Sequence, residues 1–218
     1  MEVVAAQATT QPAKPKTFVP PSKPVRIGQH RIGETVDEWL TAAHLDLEDI
    51  CKREPAEITQ RAGGMADLPS WPERLKELQA SAPCHVLGDI RGTGNGKYSA
   101  IESDGRKFDW IFANGKAAQA SVFYIDGKDD VSIDQQVKFL VEAFGPPQHT
   151  SVITSQNAYG AKIDSPVRSW TLTDGTSIIA LEGFSFSSGR NMIVSFSSKA
   201  YADSVNNKPV GKNPYTQP

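Results

Sequence analysis

The chain has 218 residues, 39% of them hydrophobic, with two cysteines and a net charge of −2. A pI near 6.1 excludes the strong positive field of a nucleic-acid or anionic-lipid binder. No apolar run is long enough to cross a bilayer as a helix, so no membrane span is expected.

Residues 1–25 read as an N-terminal arm outside the fold. Ala6-Gln7-Ala8 has the small-x-small pattern of a signal-peptidase site, after Val3 to Ala6 as the end of an apolar stretch. The basic region that opens such signals is missing, so the segment reads as a truncated export signal or as an ordinary disordered start. From Thr9 to Pro24 five prolines exclude helix and central strand and leave an extended Pro/Lys-rich tether.

Three capping boxes mark helix starts in the region that follows. Thr35-Val36-Asp37-Glu38, Ser70-Trp71-Pro72-Glu73 and Ser132-Ile133-Asp134-Gln135 each pair a hydroxyl with a Glu or Gln three residues on, which satisfies free backbone N–H groups reciprocally. Val36, Leu40 and Ala43 line the first helix, with a break near Leu45-Asp46 before Leu47 and Ile50. Trp71, Leu75 and Leu78 line the short second helix. Ile133, Val137, Leu140, Val141 and Phe144 line the third, which stops at Gly145-Pro146-Pro147.

Strands are marked by turns. Asp104-Gly105, Asn114-Gly115 and Asp174-Gly175 are two-residue hairpin signals, because a type I′ turn needs positive φ at both places. Phe108, Trp110 and Phe112 alternate on one face, as do Ala118, Ala120, Val122 and Tyr124. Trp170 and Leu172, and Met192, Val194 and Phe196, do the same. Opposite the last set lie Ile193, Ser195 and Ser197, a mostly small and polar face. The pattern predicts sheets with helices on one side and solvent on the other.

Trp110 to Lys116 reads W-x-φ-x-N-G-K, and Trp170 to Thr176 reads W-x-φ-x-D-G-T, 60 residues later; Tyr98 answers Tyr159 upstream. The expected fold class is therefore α+β, two tandem repeats of a helical segment plus an antiparallel β-meander. Repeat 1 spans residues 26–128 and repeat 2 spans 129–203, with a disordered tail over 204–218. Trp110 follows Thr35 by 75 residues but Trp170 follows Ser132 by 38, so repeat 1 carries an insertion of about 37 residues, bracketed by Cys51 and Cys84. In a reducing compartment the two cysteines are buried thiols; in an exported protein they bridge and close the inserted loop.

Ile32-Gly33-Glu34-Thr35, opening the first helix, and Phe144-Gly145-Pro146-Pro147, closing the third, give the chain a resemblance to the fold shared by the β-lactamase inhibitory protein and the SmpA/OmlA-type outer-membrane lipoproteins. Gln156 to Ala161, with Trp170, is similar to uncharacterised exported bacterial proteins of that type. The resemblance covers roughly residues 28 to 200. It implies a binding or scaffold role in the envelope, with a periplasmic or extracellular location.

Candidate chemistry is sparse. Gly92 to Lys97 lacks the first glycine and the final Ser/Thr of a phosphate loop, since Arg91 and Tyr98 hold those places. His30, His44, His85 and His149 have no metal-ligand spacing. Gly183 to Ser187 lacks the second glycine of a nucleophile elbow, and Asp126 to Asp130 lacks a calcium loop's alternation. No catalytic residue, metal or cofactor is expected. Tyr98, Trp110, Tyr159 and Trp170 are the candidate interaction surface if they face outward, and core if they do not. The sequence therefore points to a non-catalytic module for a protein or cell-envelope partner. A hydrolase-type enzyme or a purely structural envelope protein are the alternatives.

Overall fold

A computed structural model describes residues 25–62, 70–101, 106–126, 131–156, 160, 162–185 and 189–206. The arm before residue 25, the Asp104-Gly105 turn, Tyr159 and the tail from residue 207 lie outside these residues.

The chain opens with a short hairpin, β1 (Arg26–Ile27) and β2 (His30–Arg31), turning at Gly28. Helix α1 (Val36–Ala42) starts at the expected box: Thr35 Oγ1 accepts from the Glu38 N–H at 3.2 Å, and the Thr35 N–H donates to Glu38 at 2.8 Å. The predicted break is real. His44 sits at φ 53°, and Asp46 Oδ1 accepts the N–H groups of Glu48 and Asp49 to start α2 (Leu47–Ala62). Helix α3 (Trp71–Ala80) follows Ser70, but that box does not close: Ser70 has helical backbone angles, and its side chain makes no cap bond. Trp71, Leu75 and Leu78 face inward but stay half-buried.

Helix α4 (Pro83–Thr93) follows, a helix not expected from the sequence. Pro83 opens it, where a missing N–H costs nothing. Leu87 and Ile90 bury its inner face. Gly94 closes it in the left-handed region at φ 70°, and a Cβ there would lie 2.6 Å from the Gly115 backbone nitrogen. A disulfide joins Cys51 in α2 to Cys84 in α4, so the bracketed segment is tied off. Closing a loop of that length stabilises by about 4 kcal/mol in the chain-entropy account.

Seven strands form one antiparallel sheet in the order β3 (Gly96–Ile101), β4 (Lys107–Ala113), β5 (Lys116–Ile125), β9 (Gly189–Ser197), β8 (Ser177–Ser185), β7 (Lys162–Thr171), β6 (His149–Gln156). Asn114 and Gly115, at φ 52° and 74°, make the tight β4–β5 turn as expected. Asp174-Gly175 does not make the same turn, since only Gly175 has positive φ. The Gly175 N–H donates to Leu172 O, while Asp174 Oδ1 accepts from the Thr176 N–H, giving a longer loop.

Helix α5 (Ile133–Phe144) begins at the Ser132–Gln135 box and ends at Gly145, φ 81°. Helix α6 (Lys199–Asn206) runs past residue 203, where the tail was expected to begin.

Cross-strand partners share a face, so the register draws one row through the core: Tyr98, Trp110, Ala120, Phe196, Ile178, Trp170. Helices α1, α4 and α5 pack on this side, and their apolar residues join it in one buried cluster with Trp39, Leu87 and Ile133. The fold is α+β with helices against a sheet. The row also bears on the repeat. Strands β4 and β7 run in the same direction on either side of β9, with both tryptophans on the helix side. A rotation about the sheet normal reverses strand direction and brings β4 onto β8 instead, so the repeat rests on sequence spacing alone.

Candidate functional site

The face opposite the helices is built by the other residue of each alternating pair. Phe123 on β5 pairs with Ile193 on β9, Ile193 with Leu181 on β8, and Leu181 with Val167 on β7, a transverse apolar row four strands wide. Phe123 is 50% exposed, Ile179 is 43% and Ile193 is 38%. A neighbouring row is polar: Ser99, Asp109, Ser121 and Ser195 lie side by side on β3, β4, β5 and β9. The Ser121 and Ser195 hydroxyls meet at 2.9 Å. An open groove of about 1000 Å³ lies on this side, lined by Lys97, Lys107, Ile111, Phe123 and Ile193 among others.

Its electrostatics are mixed. Asp109 accepts from the Ser99 hydroxyl at 2.5 Å and faces the Lys97 ammonium at 3.4 Å. The serine hydrogen bond first, and then Lys97, hold its carboxyl below the usual range. An apolar strip edged by lysines and short hydroxyls suits contact with a surface that is itself part apolar and part anionic.

The aromatic residues proposed from sequence are placed elsewhere. Trp110 and Trp170 are buried, at 0% and 1% exposure, and the proposal that they form an interaction surface is corrected: they are core. Trp170 Nε1 donates to Gly145 O at 2.8 Å, holding the end of α5 on the sheet. Trp110 stands edge-on to Trp39 and to His30. Tyr98 is half-buried against Trp39, and burial first, then the Glu54 charge, push its phenol up. Tyr159 lies outside the described residues. Phe123, Ile179 and Ile193 take their place, and the signal for them was present, because each falls opposite a core residue in an alternating run. The serines beside them masked it.

Polar groups on the helix side are held in pairs. His30 Nδ1 and Glu34 Oε1 lie 2.8 Å apart, both buried, with the imidazole stacked on Trp39. Glu182, also buried, meets both Arg168 and Arg190, and Arg190 reaches Asp134 at the start of α5. These contacts push the Arg190 guanidinium up, with the Asp134 hydrogen bond the largest cause, and hold Asp134 down. The network clamps α5 to the sheet. Among the described residues no three His, Cys, Asp or Glu side chains converge on a point that could hold a metal ion.

Compared with family models, curated proteins and solved structures, the chain matches none. Its function must be argued from the surface.

Proposed function

We propose that the protein is an exported, non-catalytic interaction module that binds a protein or cell-envelope component through the open face of its sheet. The observation that carries this reading is the Phe123–Ile193–Leu181–Val167 row, an apolar strip on an antiparallel platform in which Phe123 and Ile193 stand exposed and Leu181 and Val167 are half-buried. Contiguous exposed apolar surface rimmed by polar residues is the usual mark of an interaction site. The Cys51–Cys84 bridge supports an oxidising compartment, since such bridges are rare in reducing ones. No helix among the described residues is long and apolar enough to cross a membrane. The helix-then-meander order is in keeping with kinship to the β-lactamase inhibitory protein and the SmpA/OmlA-type lipoproteins, which belongs to the same proposal.

Support for a non-catalytic role comes from the buried ionisable groups. His30, Glu34 and Glu182 are engaged with neighbours that position secondary structure, and none opens onto the groove. The test is affinity capture from envelope extract with the wild-type chain and the Phe123→Asp, Ile193→Asp double variant. The wild type should retain a specific component that the double variant loses. Equal retention by both would remove the open face from the account.

A further inference from the structure

Strand β6 closes one end of the seven-stranded sheet, and all eight of its residues are exposed. Its sequence is His-Thr-Ser-Val-Ile-Thr-Ser-Gln, with no Asp, Glu, Lys, Arg or Pro. Val152 is 57% exposed and Ile153 54%, on opposite faces of the strand. Edge strands normally carry a charge, a proline or a bulge that blocks further pairing. Here the irregularity lies in the β4–β5 register at Ile111/Phe112, and the proline is Pro166 on β7, opposite Val152. Pro166 marks where β7 leaves β8: the β7–β8 ladder begins only at Val167, whereas β6 and β7 pair along their length from Lys162 to Ser169. A proline offers no N–H to a ladder. The far half of β6–β7 is thus a two-stranded ribbon standing off the sheet, a form that is marginal in water by itself.

We propose that β6 is a pairing edge for β6 of a second copy of this chain, giving an antiparallel two-fold dimer with one continuous sheet. A two-fold axis along the sheet normal keeps each face on its own side. It can therefore set Ile153 opposite Ile153 of the other copy, with Ser151 facing Ser155 and Val152 facing Thr154. Self-pairing across such an axis usually brings like charges together, at a cost. This strand holds none, and that favours its own copy as partner. The pairing covers Ile153 and Val152, gives the outer N–H and C=O groups of β6 partners, and braces the ribbon. It does not involve Phe123 or Ile193, so it stands or falls separately from the proposed function.

The test is sedimentation velocity of the full chain across a concentration series reaching hundreds of micromolar, where weak self-association of this type is visible. The wild type should form dimers, and Ile153→Lys should remain monomeric with unchanged circular dichroism. Phe123→Asp should dimerise as the wild type does. Because both native cysteines are bridged, an Ile153→Cys variant offers one free thiol opposite its own symmetry mate, and its oxidation should yield a covalent dimer. A monomeric wild type, dimers that survive Ile153→Lys, or open-ended aggregates in place of a dimer would each overturn the proposal.

Discussion

Asp109 shows how a single residue on the open face is tuned. The Ser99 hydroxyl and the Lys97 ammonium both favour its charged form, with the Ser99 hydrogen bond the largest single cause. A carboxylate whose folded pKa is depressed adds stability that is fully present above its unfolded pKa and is lost as pH falls through the folded one. Ser99→Ala and Lys97→Met should therefore each raise the Asp109 pKa, as read by NMR titration of the side-chain carboxyl. An unchanged pKa in Ser99→Ala would mean that the hydrogen bond does not set its ionisation. At this scale the sequence left the tryptophans open between two roles, since their recurrence before Gly-containing turns fits a recognition face as well as a core. Only the register, which places Trp110 and Trp170 in one buried row with Ala120, Phe196 and Ile178, separates the two.

Helix starts were the most legible elements, because a capping box is written within four residues. The Thr35 and Ser132 boxes both close, and the break before α2 is fixed by Asp46. Ser70 has the same pattern and fails, because its backbone is already helical and its hydroxyl cannot reach the N3 N–H. The expectation follows directly: Thr35→Ala and Ser132→Ala should each cost about 1 kcal/mol in urea unfolding, whereas Ser70→Ala should change little. A loss at Ser70 equal to the others would mean that its box does form. Helix α4 was hidden by Gly88 and Gly92, which lower helix propensity, although Pro83 at its start and Gly94 past its end were readable signs. The Asp174-Gly175 loop was misread because Asp174 uses its side chain on the Thr176 N–H and does not take positive φ.

For the whole molecule, the helix-on-one-face architecture was legible in the alternation of β4, β5 and β9. The strand order was not, because nothing local dictates that β9 returns to lie between β5 and β8. That return merges both halves of the chain over one core and creates the open face, since it places Ile193 between Phe123 and Leu181. This face is solvent-facing surface, with Phe123, Ile179 and Ile193 exposed on it. The most direct test is urea unfolding of the Phe123→Thr, Ile193→Thr double variant, which keeps strand-forming side chains and sets no like charges opposite each other, followed by tryptophan fluorescence and far-ultraviolet circular dichroism. Surface substitutions usually shift stability by no more than about 0.5 kcal/mol each, so one coincident transition with a midpoint close to the wild type is predicted. A loss of several kcal/mol, or two separated transitions, would show that the face is covered or that the halves fold apart, and would contradict the account.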